Sequence, residues 1–298
     1  NFVYIVSMKI LITGGCGFVG SNLAIYLKKN LNKCQVFSLD NLSRNGSNVN
    51  LKRLKKNKIK NFEIDITDSK KILKLPNYDV IIDCCAEAAV NDSVYIPNKV
   101  FKTNLLGTLN ILNKCVKDKS KIIFLSSSRV YSINALRKKY NLKYLRVKNL
   151  SSHKINEKFS TKSPKSLYGL TKLASEDLIR EYSYSHRIKY LINRFGVISG
   201  PWQFGYEDQG FVSLWVINHF FKKKLKYIGF NGSGKQSRDV IHIQDACEII
   251  LLQLKNINKI FNKTFNIGGG LKSFISLINL TKLCQKITGN KIKFKRIK

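Results

Sequence analysis

The sequence predicts an α/β protein: a doubly wound parallel sheet flanked by helices, with a smaller lobe assembled from C-terminal segments. Three observations carry this expectation. Short apolar runs alternate with helical patterns through the first half, the rhythm of strand–helix–strand units. A glycine-rich turn joins the first apolar run directly to the first helical pattern. Beyond Gly196 the alternation gives way to mixed, turn-rich stretches such as Gly229–Gly234.

Taken in order, Lys9–Thr13 reads as a strand, Phe18–Lys29 as a helix and Gln35–Leu39 as a second strand. Asn61–Ile64 and Val80–Cys84 read as further strands. Lys99–Val116 has helical periodicity, and Lys121–Ser126 is apolar enough for a buried strand. Around Arg137–Lys165 polar and basic residues dominate, which predicts a long excursion with one short helix. Leu167–His186 is a strong helix and Lys189–Asn193 the strand after it. Residues 8–195 are therefore expected to form the sheet domain, with a return segment near 239–260, and 196–298 mainly the smaller lobe. Met8 immediately precedes the first strand and the chain stops directly after an apparent strand (KIKFK). The expectation is that residues 1–7 are extraneous and that a closing C-terminal piece is missing.

Composition narrows the function classes. With 44% hydrophobic and 11% aromatic residues, 298 residues can bury a large core, which excludes a disordered chain or a disulfide-stapled mini-protein. No apolar run approaches the ~20 residues of a spanning helix, and the first fifteen lack the marks of a signal peptide. A soluble cytoplasmic protein is expected. The net charge of +35 rests on 43 lysines and only 10 arginines, scattered along the chain. That is the pattern of a solvated lysine surface; a nucleic-acid partner is the lesser reading, and a small anionic substrate gains from the same field. The seven cysteines form no C-x-x-C pair and read as reduced core thiols, and the four histidines are isolated, so no metal site is expected.

The sharpest local signal is Thr13-Gly14-Gly15-Cys16-Gly17-Phe18-Val19-Gly20. Gly14, Gly17 and Gly20 have the spacing that allows a tight turn, close approach of a pyrophosphate to backbone N–H groups, and packing of helix on strand. Asp40, twenty residues after Gly20, ends the second strand beside Asn41. A carboxylate there accepts hydrogen bonds from adenosine ribose hydroxyls and repels a 2′-phosphate, so NAD is the expected cofactor rather than NADP. Asp65-Ile66, after the third strand, is a weaker candidate for an adenine contact.

Tyr168-Gly169-Leu170-Thr171-Lys172 puts a phenol and an ammonium on one helix face, a turn apart. The motif is poor on its own, since chance supplies about two such pairs in a chain with 13 tyrosines and this much lysine. Tyr95/Lys99 and Tyr144/Lys148 match it too, but only Tyr168 opens a long helix downstream of a strand ending in Ser126-Ser127-Ser128. A phenol serves as a base near neutrality when its ionised form gains about 4 kcal/mol, roughly what one ammonium at ~4 Å supplies at an effective dielectric of 20. Ser127 would hold a substrate hydroxyl while Tyr168 takes its proton and hydride leaves for the nicotinamide ring.

These residues, with Asn104-Leu105-Leu106-Gly107-Thr108 and Val130-Tyr131, resemble the extended short-chain dehydrogenase/reductase family of nucleotide-sugar epimerases and dehydratases, over about Met8 to Gly270. The resemblance implies a Rossmann domain, tightly held NAD and a lobe gripping a nucleotide diphospho-sugar. It implies Ser127, Tyr168 and Lys172 as the catalytic set. Gly14, Gly17, Phe18, Val19, Gly20, Asp40, Asn41, Asp65, Ile66, Ala86, Asn104, Tyr168 and Lys172 would surround the cofactor, Asn104 as a brace. Relatives that eliminate water need an acid pair after the catalytic hydroxyl, whereas here Ser128 and Arg129 follow Ser127, which leaves epimerisation. Gly200-Pro201-Trp202-Gln203, Asp208-Gln209-Gly210-Phe211 and Gly234–His242 resemble the narrower CDP-paratose 2-epimerase group. By that analogy Ser127, Gln209 and Gly210 line the sugar-nucleotide cleft and Arg238 clamps the diphosphate.

The resemblance implies inversion at C2 of a CDP-dideoxyhexose, in lipopolysaccharide-type sugar biosynthesis, by a homodimer or homotetramer pairing through the Lys99–Val116 and Leu167–His186 helices. A UDP-hexose 4-epimerase is the alternative, and a non-catalytic nucleotide- or RNA-binding scaffold a lesser one. Three departures stand out. Glu87 sits where relatives commonly carry Gln, Val197 where many carry a substrate-contacting Asn, and Ser132 where Gly is usual.

Overall fold

The computed structural model describes residues 8–88, 92–140, 155–205 and 209–297. Contacts divide the chain into two units, Asn1–Phe195 with Ala246–Ile267, and Gly196–Asp245 with Gly268–Lys298. The segment that returns to the first unit is thus Ala246–Ile267, displaced from the expected 239–260 because 237–242 form a strand of the second unit.

The first unit begins with β1 (Lys9–Thr13), α1 (Phe18–Asn30), β2 (Gln35–Leu39), α2 (Ser47–Lys56), β3 (Lys60–Phe62), α3 (Ser69–Leu73) and β4 (Val80–Asp83). It continues with α4 (Asp92–Tyr95), α5 (Pro97–Phe101), a π turn (Lys102–Leu106), α6 (Gly107–Asp118), β5 (Lys121–Ser127), α7 (Ile133–Tyr140), α8 (Leu167–His186) and β6 (Tyr190–Phe195). The second unit holds β7 (Val197–Ser199), α9 (Phe211–Phe220), β8 (Leu225–Ile228) and β9 (Ser237–His242). From there α10 (Ile243–Ile260) leads back to β10 (Lys263–Ile267) in the first unit, and β11 (Phe274–Ser276), α11 (Leu277–Thr288) and β12 (Phe294–Ile297) complete the second.

Seven strands pair all-parallel in the order β10-β6-β5-β4-β1-β2-β3. The expected doubly wound sheet is therefore the observed one. Its central strands are apolar on both faces because helices cover both; Ile10, Leu11 and Ile12 of β1 and Val80, Ile81 and Ile82 of β4 are all buried. The order reverses direction at β1, between β2 and β4, and such a reversal opens a crevice at the carboxyl ends of the strands. Three of those ends, Thr13, Leu39 (next to Asp40) and Ser127, carry or adjoin the sequence motifs.

The second unit has two small sheets, β11-β9-β7 and β12-β8, around a core of Trp215, Tyr227, Leu277 and Leu280. Among the described residues no helix is long and apolar enough to cross a membrane.

Candidate active site

The glycine turn is built by close backbone approach. Gly14 adopts φ +59, and a Cβ on it would press the Cys84-Cys85 backbone at 3.0–3.1 Å. A Cβ on Gly20 would collide with the Gly14 carbonyl oxygen, so the first turn of α1 seats directly under the loop. Gly17 is the N-cap of α1 and supplies no side-chain acceptor, leaving the amide end of the helix open for an anion. Phe18 and Val19 follow in that first turn, half-buried. This cradle fits a pyrophosphate.

Asp40 holds the cradle. Its carboxylate accepts the Cys16 N–H at 3.0 Å and the Leu42 N–H at 2.8 Å. Burial pushes the carboxyl up from its ordinary value, opposed by hydrogen bonds from Leu42, Cys16 and Gly17. Three amide donors occupy three of about four acceptor directions, which leaves one for a ribose hydroxyl. Asn41 donates to Asp65 at 2.7 Å, and Asp65 also accepts the Thr67 hydroxyl (2.6 Å) and N–H (2.8 Å). Burial pushes the Asp65 carboxyl up, but the Thr67 and Asn41 bonds outweigh it and hold it below the ordinary carboxylate range. The side chain of Ile66 lies in the core against Gly107, and its carbonyl accepts from Asn110.

The loop after β4 runs through Ala86 to Glu87. Asp83, fully buried, binds the hydroxyls of Thr13 (2.6 Å) and Thr108 (3.1 Å) and so ties the ends of β1 and β4 to α6. Asn104 bonds both the N–H and the carbonyl of Glu87 and reaches the Thr171 hydroxyl at 3.1 Å. Its brace connects this loop to α8 rather than spanning the sheet. The unusual acid Glu87 is neutralised by Lys99 at 2.7 Å. Ser132 earns its place differently from the glycine it replaces, since its hydroxyl accepts the Ala135 N–H and caps α7.

α8 starts at a Ser166 N-cap whose hydroxyl accepts the Gly169 N–H. Gly169 packs directly on the Arg129 carbonyl, which a Cβ would strike. Arg129 belongs to the turn that begins when its N–H bonds the Ser127 hydroxyl at 3.2 Å. The first turn of α8, carrying Tyr168, is thereby pressed against the residues following Ser127. One turn on, Lys172 is buried with its ammonium 4.5 Å from the centroid of Phe124 on β5. Sequence reading quoted Gly169 without seeing this contact.

It also missed Glu176, the next residue on the Tyr168–Lys172 face. Fully buried, Glu176 accepts from Ser126 (2.6 Å), from Arg194 Nη2 (2.6 Å) and Nε (2.9 Å), and from Arg180 (2.9 Å). Burial opposes the Arg194 charge, but the Glu176 bonds prevail and strengthen its hold on the proton. An acid at i+4 from Lys172 and an arginine closing an apolar strand were the available signals.

The remaining predicted residues lie in the second unit. Gly210, at φ +76, is the N-cap of α9, beside the Gln203 side chain that Ser199 and Ser213 fix. Arg238 on β9 donates to the Ser237 carbonyl at 2.8 Å, and Gln209 immediately precedes the cap. Asp208 and the Tyr144/Lys148 pair fall outside the described residues. Gly268 packs on the Asp239 side chain, whose carboxyl accepts the Gly269 and Gly270 N–H groups.

Against known proteins, the family described as "NAD dependent epimerase/dehydratase family" matches residues 10–268. The CDP-paratose 2-epimerase of Salmonella typhi is 32% identical over 93% of this chain and 84% of its own length. The UDP-glucose 4-epimerase of Mycoplasma genitalium is 28% identical over 92% of this chain and 80% of its own. Among solved structures, the Thermotoga maritima UDP-glucose 4-epimerase with UDP-glucose superposes with a TM-score of 0.79 at 27% identity, covering 98% of this chain and 86% of that one.

Proposed function

The chain belongs to the NAD dependent epimerase/dehydratase family, and from that premise we propose that it inverts one carbon of a nucleotide diphospho-sugar, C2 of a CDP-dideoxyhexose being the favoured substrate and position. NAD is the cofactor. When bound, it supplies the hydride acceptor and donor of the cycle. The Gly14–Gly20 cradle would hold the pyrophosphate, and Asp40 the adenosine ribose.

Tyr168 accepts the proton of the sugar hydroxyl and later returns it. Ser127 orients that oxygen by hydrogen bond, and the buried ammonium of Lys172 stabilises the phenolate through the low-dielectric interior. The keto-sugar would present its other face for reduction, and Tyr168 would return the proton to the same oxygen. In the second unit, Gln209, Gly210 and Arg238 would receive the nucleotide and diphosphate; Arg238 suits the latter as a planar cation.

One observation carries the reading: Gly169 against Arg129 packs the tyrosine-bearing turn on the residues that directly follow Ser127, the last residue of β5. Epimerisation is favoured over elimination by the state of the acids in this region. Asp83, Glu87 and Glu176 are each engaged by hydroxyls or cations, and Ser128 and Arg129 follow Ser127. Exposed Tyr95, Phe101, Leu106 and Leu170 on α4, α5, the π turn and α8 support pairing of two copies through this face; light scattering that reports a monomer removes that part.

The test is incubation of purified protein with CDP-paratose or UDP-glucose in D₂O, followed by mass analysis. Hydride transfer leaves carbon-bound hydrogen unexchanged in the epimer. Deuterium on carbon overturns the reading, and turnover of neither substrate does the same. Preference for UDP-glucose favours the second reading, a UDP-hexose 4-epimerase, which the structural likeness to the Thermotoga maritima enzyme supports.

A further inference from the structure

Two contacts join α8 to the end of β5 and the turn that follows it. Gly169 meets the Arg129 carbonyl, and Glu176 binds the Ser126 hydroxyl at 2.6 Å. They are seven residues apart on the helix, about 10 Å along its axis at 1.5 Å per residue. A helix held at one point pivots about it; a second contact two turns on removes the tilt and the slide along its axis. Lys172 lies between the two points and Tyr168 beside the first.

The second contact is built from buried charge. Ser126 and Arg194 are register partners on β5 and β6, so their side chains share the sheet face that α8 covers. Glu176 enters between them and its two oxygens are shared among Ser126, Arg194 and Arg180. Arg194 in turn donates to the Tyr131 hydroxyl at 2.7 Å, and that hydroxyl to Asn266 at 2.9 Å. Asn266 donates its N–H to Glu157 at 2.6 Å and its amide to the Ile155 carbonyl at 3.1 Å. The chain returning from the basic excursion is therefore latched to the same group of side chains. Replacing a buried ion pair by apolar residues is often neutral for stability, so stability alone does not account for it.

Resting on the hydride-transfer reading above, we propose that Glu176 is a positioning residue, which acts through Ser126 to hold Ser127 in register with Tyr168. The carboxylate is wholly buried, and its bonds go to Ser126, Arg194 and Arg180. It fixes the penultimate residue of β5, and Ser127 inherits that placement through one peptide unit.

Ser126→Ala tests this with little threat to the fold, because Arg194 and Arg180 still neutralise Glu176. With whichever of CDP-paratose and UDP-glucose is turned over, kcat should fall about tenfold, since misplacement by ~1 Å can cost up to 10²-fold. KM should stay within about twofold, with bound NAD and melting temperature at the parent's values. In a Ser127→Ala background the same change should cost nothing further, because its effect passes through Ser127. A purely architectural hydroxyl gives no kcat effect, or one that repeats undiminished in that background; either result overturns the proposal. So does a loss accounted for by missing NAD. Glu176→Gln, where it folds, should lower kcat at least as far, and a folded variant with the parent's kcat also overturns it. Tyr168→Phe separates the two levels. If it retains turnover the hydride-transfer reading fails, whereas an inactive Tyr168→Phe beside a fully active Ser126→Ala removes only the positioning role.

Discussion

Gly17 and Gly20 are both small residues in one turn, yet the structure gives them different work, and alanine at each should separate cradle from packing. A Cβ on Gly20 would collide with the Gly14 carbonyl oxygen and lie 2.8 Å from the Gly15 Cα. Both obstacles are backbone, so loop and helix must part by several tenths of an ångström. Overpacking of that kind costs about 1–3 kcal/mol. A Cβ on Gly17 meets only the Gly14 carbonyl oxygen, at 3.1 Å, with Gly17 already at φ −73, so the fold should absorb it with little loss. The new methyl would nevertheless stand on the N-cap of α1, where the pyrophosphate must approach the helix amides. Loss of one hydrogen bond to a charged group is worth about 1.5–3 kcal/mol, or about 10- to 150-fold in affinity. Gly17→Ala should therefore keep its melting temperature within about 2 °C and release NAD on dialysis. Gly20→Ala should lose both nucleotide and several degrees. Calorimetry and chromatography of heat-released nucleotide read the two quantities independently. Full NAD retention by a folded Gly17→Ala refutes the cradle, and an unchanged melting temperature in Gly20→Ala refutes the packing argument.

Lys114 and Asp118 are both wholly buried, and Lys114 also donates to the carbonyls of Leu75 and Pro76, so Lys114→Met should cost about 3–5 kcal/mol in urea unfolding; a loss under 1 kcal/mol would contradict it. Asp65 has its folded-state pKa held below the ordinary 3.8, so its bonds stabilise the fold above about pH 4 and that contribution vanishes as pH falls through the lower folded value. Between pH 6 and pH 3 the parent should accordingly lose more denaturation midpoint than Asp65→Asn, and equal losses would refute the assignment. Lys99→Met leaves the Glu87 carboxylate, mostly shielded from solvent, without its cation. Retained nucleotide should drop several-fold, most at low salt, and adding Glu87→Gln should restore it; no restoration would show that charge is not the cause.

How far the fold could be read from the chain depended on the range of the forces involved. β1, β2 and α8 begin and end where expected because their signals are local: short apolar runs, glycines at the turn, and a serine cap. The segment expected as one helix over Lys99–Val116 is instead α5, a π turn and α6. Apolar periodicity does not register one wide turn, and the turn carries Asn104, which bonds the Glu87 backbone and Thr171. α2 escaped notice because its inward contacts are largely polar: Asn50 bonds the Cys16 carbonyl, and Arg53 reaches Ser21 and Asn22 on α1. In the second unit, short strands pair across 35 to 69 residues of sequence, and composition carries no record of such partners.

The same limit governed the site, and lysine shows why. Among the described lysines, Lys114 and Lys172 are completely or nearly completely buried, and nothing in residue type separates them from the solvated majority. Burial of an ammonium demands compensation. For Lys114 it comes from a carboxylate and two carbonyls, which hold the charge and leave it no further work. For Lys172, among the described residues, it comes from the face of Phe124, 4.5 Å from the ammonium, without an ion pair. The motif locates a lysine one turn from a tyrosine, but chance provides that spacing elsewhere in this chain. What distinguishes the Tyr168/Lys172 pair is the combination of a buried cation with no carboxylate partner among the described residues and a glycine that packs the tyrosine-bearing turn against Arg129, just after Ser127. Both are properties of packing, legible only once the helix and the strand are seen together.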